Sequence, residues 1–384
     1  MGIINSEATP DHWHSGVITS IYKKGDKQDM NNYRGITLLS VVGKLHNRIL
    51  NHRLTEVFDV GNVIHEAQNG FRRDRSCPDH ILTLSQILLG RKRQKLRTFC
   101  FFLDIKKAYD TVWRNGLWYR LWHVGIRGKA WRIIKNMYDN TRSCVSIDGQ
   151  LGEFFDASNG VAQGDTLSPI LFSLFINSIL EEIQGQNLGV SIDGKWLGAL
   201  MFADDFVGIC ESEEELQRMI DILHRYALKF RFQANVDKCA VVVFGDNDEV
   251  STKWNWGNGE IPIKSSYVYL GVRFDRNCGW DVHATDTADA GMAYLEKLKS
   301  LLTNKHLSTE VKRTILLAVL KPMLTYAGEV WEPNAGPAAQ LELVMLKACR
   351  YILQCGKRTS AEPMRGDLGF LPLKYDRVLQ KLMF

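Results

Sequence analysis

Ala199-Leu200-Met201-Phe202-Ala203-Asp204-Asp205-Phe206-Val207-Gly208-Ile209 sets two adjacent carboxylates at the crest of an apolar, strand-like run. A second such run, Phe99-Cys100-Phe101-Phe102-Leu103-Asp104, closes on a third. Apolar strands disfavour ionised side chains unless these are paired, solvated or bound to a metal. Successive strand residues face opposite sides, so Asp204 and Asp205 reach one cleft together only if a tight hairpin turn falls at them. Mg²⁺ takes hard oxygen ligands and lets substrate phosphates complete its shell. Three aspartates from two strands are therefore equipped to hold two Mg²⁺ ions, with Mn²⁺ a possible substitute. This is the equipment of phosphoryl transfer, with metals ~3.5–4 Å apart.

The 384 residues are 45% hydrophobic and 24% charged, enough for a substantial core divided into two or three lobes. No apolar stretch reaches the roughly 18 residues of a membrane helix, and Met1 to Trp13 lacks the apolar core of a signal peptide. An intracellular chain without a membrane partner is expected. The eight cysteines are scattered without a CxxC pair, which fits buried thiols and no zinc site. The net charge of +5 conceals a sharper division: residues 1–142 carry +12, residues 143–250 carry −12, and residues 251–384 carry +5. Basic flanks around an acidic middle suit a polyanion held over a metal-binding floor. The densest basic run, Arg91-Lys92-Arg93-Gln94-Lys95-Leu96-Arg97, reads at least as well as a solvated helix end and loop as it does as a nuclear signal.

Two short strands are expected at 17–22 and 34–40, joined by a polar turn from Gly25 to Asn32. Apolar periodicity predicts helices over Val42 to Val57, Asp79 to Leu89, Ala108 to Trp122 and Lys129 to Tyr138. Strand pairs are expected between Ser143–Ile147 and Phe154–Ser158, and between Val190–Ile192 and the run entering Asp204. Pro169 fits the first turn of a long apolar helix, Ile170 to Ile183. Ser212 and Glu215 have capping-box spacing at the start of another, which runs to Phe230. Strands follow at Ala240–Phe244 and Tyr267–Phe274. The remainder reads as helical, with Pro322, Pro333, Pro337 and Pro363 as breaks.

The order strand-Asp, helices, hairpin, helix, strand-AspAsp-strand, helix, strand resembles the palm of a reverse transcriptase. Asp104-Ile105-Lys106-Lys107-Ala108-Tyr109-Asp110 is similar to the first palm motif of these enzymes. Gly160 to Pro169, with Gln163-Gly164, resembles the second, and Phe202-Ala203-Asp204-Asp205 the third. Asn32 to Ser40 and Asn69-Gly70-Phe71-Arg72-Arg73-Asp74-Arg75-Ser76 look like fingers motifs of non-LTR (LINE-type) retrotransposon polymerases. Asn235-Val236-Asp237-Lys238, Tyr269-Leu270-Gly271, Leu324 to Trp331 and Leu368 to Leu373 look like later motifs of that family. The resemblance covers nearly the whole chain from about Trp13.

It implies an α+β right-hand polymerase, with N-terminally truncated fingers over 1–96, a palm over 97–275 that includes helices at 108–140, and a mainly helical thumb with the start of a post-thumb region over 276–384. Asp104, Asp204 and Asp205, with the backbone carbonyl of Ile105, would bind the metals. Lys23 and Arg34 would clamp the triphosphate, with Lys24 able to exchange with Lys23, while Arg72 and Arg75 would lie by template or triphosphate. Tyr109 would select deoxyribose, Gln163 and Gly164 would touch nucleotide and templating base, and Lys238 would protonate pyrophosphate. Tyr269, Leu270 and Gly271 would form a primer grip. Asp110 is expected to cap or pair rather than bind metal.

The implied partners are an RNA template, a DNA primer or target, and deoxynucleoside triphosphates, with a nuclear and cytoplasmic location by family habit. Neither an N-terminal endonuclease nor a C-terminal zinc knuckle is expected within the chain, so the endonuclease step would come from elsewhere. A catalytically silent nucleic-acid-binding remnant and a metal-dependent nuclease or phosphatase are the competing classes. Gln163-Gly164 together with the fingers cations weighs against the hydrolase.

Overall fold

The computed structural model describes every residue except Met1, Lys24, Asp193 and residues 246–250, and describes Ile4 by its backbone alone. A short helix α1 (Gly2–Ser6) precedes strands β1 (Ser15–Tyr22) and β2 (Tyr33–Leu38), which pair antiparallel with Val17 opposite Leu38. Helix α2 (Val41–Val60) starts where Ser40 Oγ accepts from Gly43 N–H. Helix α3 (Cys77–Arg93) opens on a capping box in which Asp79 Oδ2 accepts from Ser76 N–H at 2.6 Å. Strand β3 (Thr98–Leu103) is buried along its whole length, as a run with no polar alternation requires. Helices α4 (Arg114–His123) and α5 (Gly128–Asn136) lead to β4 (Arg142–Ile147), β5 (Gln150–Leu151) and β6 (Phe155–Asp156). Then come α6 (Ser168–Gly185), β7 (Val190–Ile192), β8 (Lys195–Leu197), β9 (Ala199–Phe202), β10 (Asp205–Cys210), α7 (Glu213–Phe230) and β11 (Ala240–Phe244). Strands β12 (Asn255–Trp256), β13 (Gly259–Glu260), β14 (Ser266–Tyr269) and β15 (Val272–Asp275) follow. Helices α8 (Asp281–Leu302), α9 (Thr309–Ile315), α10 (Lys321–Thr325), α11 (Ala335–Leu353), α12 (Ala361–Leu368) and α13 (Leu373–Met383) complete the chain. Among the described residues no helix is long and apolar enough to cross a membrane.

The chain divides into two compact units. One comprises Met1–Arg75, Phe99–Val241 and Ser251–Ile263. It holds a mixed sheet in the order β2-β1-β4-β5, in which β4 runs parallel to β1 and also pairs with β6. It also holds β3, β10 and β9, paired antiparallel in that order. Helix α6 is the core of this unit, burying Leu171, Phe172, Leu174, Phe175, Ile176, Ile179 and Leu180. On α7, Tyr226 stacks on Phe230 and donates its hydroxyl to the Phe175 carbonyl of α6. The other unit comprises Ser76–Thr98, Val242–Val250 and Lys264–Phe384. Its core includes Trp331, whose Nε1 donates to the Tyr326 carbonyl at 2.8 Å, and His283, whose ring meets Trp331 edge-on at 4.9 Å.

Four expectations need correction. The helix expected from Ala108 starts only at Arg114, and residues 106–111 form turns. Lys107 sits at φ +46°, and the Tyr109 and Val112 carbonyls accept from Val161 and Gly160 N–H, so tertiary pairing overrides helix propensity there. Val190–Ile192 pairs with Lys195–Leu197 rather than with the run entering Asp204, whose partner is β10. Tyr267–Phe274 is not one strand but a hairpin, with Leu270 at φ +47° and Gly271 at φ +82° between its arms. The prolines break less than expected. Pro337 and Pro363 lie in first helical turns, where a missing N–H is harmless, and Pro322 is preceded by a π-helical stretch, Leu316–Leu320, that links α9 to α10.

Candidate active site

The β9–β10 hairpin decides the geometry. Asp205 pairs with Phe202, which leaves Ala203 and Asp204 as a two-residue turn with Ala203 at φ +58°. Beside it β10 runs antiparallel to β3 with Phe206 opposite Leu103, so one further step puts Asp205 opposite Asp104. The three carboxylates therefore meet at one end of two neighbouring strands. Burial pushes the Asp204 carboxyl above its ordinary range, the Asp104 charge adds to this, and Arg34 and Lys23 oppose it. Asp205 keeps an exposed edge, yet burial first and then the charges of Asp204 and Asp104 push it up to about 6.

Asp104 is held through its backbone. Its carbonyl accepts from Asn235 N–H at 2.8 Å, and Lys106 N–H donates to the Gln233 carbonyl at 2.9 Å. By strand alternation the Ile105 carbonyl then faces the opposite edge, toward β10. Cys239 Sγ lies 3.4 Å from Asp104 N. Among the described residues no three His, Cys, Asp or Glu side chains close tightly enough to cage a metal unaided. Mg²⁺ needs no such cage, since water and phosphate oxygens complete its shell. Asp204 and Asp205, with raised affinity for protons and crowded beside Asp104 at a strand end that also offers a carbonyl, fit divalent cations.

Arg34 and Lys23 are exposed on β2 and just past β1, near enough to bias Asp204. Lys24 lies outside the described residues. Tyr109 belongs to the same neighbourhood: its ring stacks on Phe172 at 5.1 Å and 9°, and burial and the Asp204 charge raise its hydroxyl pKa while Arg34 lowers it. Asp110 is raised by burial, against which Lys107 and Lys23 act. Gln163 reaches this group through its backbone, its carbonyl accepting from Thr37 N–H of β2 at 2.6 Å. Gly164 is required by space and conformation, at φ +112° and so close to β2 that an added side chain carbon would lie only 2.8 Å from the Thr37 carbonyl oxygen. A cavity of about 380 Å³ opens beside Gln163 between Trp13, Asn47, Arg114 and Tyr138, and the three aspartates do not line it.

The remaining expected residues have local partners or lie exposed. Arg72 donates to the His65 and Gln68 carbonyls and to Glu66, and Arg75 also pairs with Glu66, so both fasten the 65–68 turn. Lys238 is exposed, following the Asn235 turn. Tyr269, Leu270 and Gly271 occupy the β14–β15 hairpin of the other unit, where the Leu270 carbonyl accepts from the Tyr326 hydroxyl at 3.1 Å. Two buried polar residues carry roles that sequence alone did not reveal. Asp165 accepts from Asn47 Nδ2 at 2.8 Å and from the Thr166 and Leu167 backbone N–H groups just before α6. Gln68 is fully buried, and its side chain bonds the Ala203 backbone.

Residues 21–274 match the reverse transcriptase (RNA-dependent DNA polymerase) family. The RNA-directed DNA polymerase from mobile element jockey of Drosophila melanogaster is 26% identical over 84% of this chain and 36% of its own length. The Pol polyprotein of an R2 element from Popillia japonica is 30% identical over 52% of this chain and 28% of its own length. The chain thus spans about a third of the length of curated relatives it matches. Among solved structures, a telomerase from Candida albicans, determined with a fragment of telomeric RNA, superposes with a TM-score of 0.51 at 12% identity, covering 96% of this chain and 68% of that one. That likeness concerns the fold, an α+β right-hand polymerase. The family match, the order of motifs and the meeting of β3 with the Asp204 hairpin agree: this chain belongs to the reverse transcriptase family.

Proposed function

We propose that the chain is an RNA-directed DNA polymerase that adds deoxynucleotides to a primer 3′-hydroxyl by two-metal nucleotidyl transfer. One observation carries this: the register that sets Asp205 opposite Asp104 with Asp204 at the adjoining turn, within electrostatic reach of Arg34 and Lys23. Asp104, Asp204 and Asp205, with the Ile105 carbonyl, would hold two Mg²⁺ or Mn²⁺ ions. When bound, such ions lower the pKa of an attacking hydroxyl and neutralise charge on the leaving oxygen.

The remaining steps belong to side chains. Arg34 and Lys23 would grip the triphosphate, the guanidinium fork suiting two phosphate oxygens at once. Tyr109, backed by Phe172, would present a flat ring under the sugar and exclude a 2′-hydroxyl. Gln163 and Gly164, tied to β2, would lie against the nucleotide and its templating base. Lys238 would donate a proton to departing pyrophosphate as general acid. Tyr269, Leu270 and Gly271 would hold the primer end, and near-attack alignment is worth roughly 7–11 kcal/mol. The substrates in this reading are an RNA template, a DNA primer and deoxynucleoside triphosphates, and the fingers, palm and thumb divide near 96/97 and 275/276.

The test is primer extension on poly(rA)/oligo(dT) with Mg²⁺. The expected result is dTMP incorporation that Asp204→Ala abolishes. Binding without incorporation would instead point to a silent nucleic-acid-binding remnant, and strand cleavage to a nuclease.

A further inference from the structure

Gln68 has no accessible surface and bonds a single residue of the catalytic hairpin from both sides. Its Oε1 accepts from Ala203 N–H at 2.9 Å and from Gly70 N–H at 2.8 Å, while its Nε2 donates to the Ala203 carbonyl at 3.2 Å. The backbone around it runs along the outer edge of β9. Met201 N–H donates to the Ala67 carbonyl at 2.8 Å, Asn69 N–H donates to the Met201 carbonyl at 3.0 Å, and Gln68 bridges Met201 in parallel. Ala203 is buried and sits at φ +58°, a conformation an alanine adopts only where its surroundings impose it. Both polar groups of this strained residue find their partner in one amide side chain.

We infer that Gln68 is a positioning residue that locks the Ala203-Asp204 turn in its left-handed conformation, so that the Asp204 and Asp205 carboxylates are aimed before any cation or nucleotide arrives. The side chain touches no substrate. It acts through Ala203, and its loss frees the turn rather than the fold. For its effect on rate the inference rests on the polymerase reading above.

Asn177 supplies the control. It is equally buried and grips the same segment a few residues upstream, its Oδ1 accepting from His65 N–H at 2.7 Å and its Nδ2 donating to the Val63 carbonyl at 3.0 Å. Its side chain bonds run to residues 63–65 and to Glu181 rather than to the hairpin turn. The experiment compares wild type, Gln68→Met and Asn177→Leu in the full chain. Single-turnover dTMP incorporation is normalised to active sites, and exchange of the Ala203 amide is followed by NMR with ¹⁵N-alanine labelling.

The expected result for Gln68→Met is a loss of about 100-fold in the rate constant, with KM for dTTP within about threefold of wild type and Ala203 exchange roughly tenfold faster or more. Asn177→Leu should lower Tm yet keep both the rate constant and the Ala203 exchange rate. If Gln68→Met does not fold, Gln68→Asn, whose amide falls one methylene short, should show the same pair of losses. Wild-type rate and exchange in the Gln68 variant, or an equal rate loss in Asn177→Leu, would overturn the inference. Should wild type incorporate nothing, the polymerase reading fails on its own, and Ala203 exchange still decides whether Gln68 holds the turn.

Discussion

Gly70→Ala should displace the Asp204 hairpin by pushing it, and with it weaken the proposed polymerase activity. A side chain carbon added at Gly70 would lie 2.2 Å from Ala203 N and 2.8 Å from Ala203 Cα, and both are backbone atoms that no rotamer change can move aside. Gly70 is not in the left-handed region, so the conflict is one of space alone. Restoring ordinary contact requires a shift of about 1 Å in either the 67–70 segment or the turn that carries Asp204. The two are tied by Gln68, so they cannot part without losing hydrogen bonds. A misplacement of about 1 Å at reacting groups lowers rates by roughly 100-fold, and overpacking of this kind destabilises by about 1–3 kcal/mol. The assay is pre-steady-state dTMP incorporation on poly(rA)/oligo(dT), with the burst amplitude counting active sites, alongside calorimetric Tm. Gly90→Ala is the reference, because an added carbon there meets nothing within 4 Å and helix α3 gains the better helix former. A Gly70→Ala protein whose rate constant per active site stays within about threefold of wild type would show the turn to be compliant and refute the reasoning.

Tyr109→Val should raise ribonucleotide incorporation relative to deoxynucleotide, and Phe172→Leu, which removes the ring beneath Tyr109, should relax that selectivity by up to about tenfold, since a stacked pair is worth about 0.5–1.5 kcal/mol. Unchanged selectivity in both variants would remove Tyr109 from sugar recognition. His283 is held at about 4 by burial from an ordinary 6.5, with Asp286 raising it and Arg273 lowering it, and its Nδ1 lies 3.4 Å from Arg273 N–H as acceptor. Its folded pKa is depressed, so the unfolded chain takes the proton first. Stability is then lost as pH falls from about 6.5 toward 4, amounting to about 2 kcal/mol between pH 7 and 5, and denaturant titrations of His283→Gln should show that slope flattened. Affinity for a template-primer duplex should fall linearly on a log–log plot against salt concentration, and a flat response measured by anisotropy would contradict a cationic binding channel.

Asp104, Asp204 and Asp205 were legible in the sequence because each contradicts its surroundings: a carboxylate in an otherwise unbroken apolar run announces a purpose. Pro169 and Ser212 were legible because helix starts obey local rules. What stayed hidden depends on distant partners. Gln68 looks like any polar loop residue until Ala203, 135 positions away, supplies both halves of its hydrogen bonding. Residues 106–111 carry helix-forming side chains, yet docking of Val161 onto the Tyr109 carbonyl and of Gly160 onto the Val112 carbonyl just beyond holds them as turns. The Tyr267–Phe274 run hides its hairpin because leucine so seldom takes positive φ that Leu270 gives no turn signal, and Gly271 alone reads as a weak point in a strand. The local partners of two arginines were hidden for a related reason. Arg72 and Arg75 follow a plausible motif, but Glu66 and two nearby carbonyls engage them first.

The same distinction explains how an acidic floor survives inside an apolar sheet. Lys23 and Arg34 are exposed and offset Asp204 only in part, and Asp205 is raised as well. The carboxylates are therefore held in place by uncharged contacts: the backbone of residues 233–235 pins Asp104 on one side, and the 67–70 segment, with the Gln68 side chain, pins the Asp204 turn on the other. Neither clamp neutralises charge, which leaves the repulsion to be relieved by whatever cations enter. Carboxyls that retain protons must release them on binding a divalent ion, so cation uptake by this chain should be coupled to proton release near pH 6 and should weaken as pH falls through that range. Clamps built from salt bridges would have given the opposite site, one already neutral and with little affinity for metal.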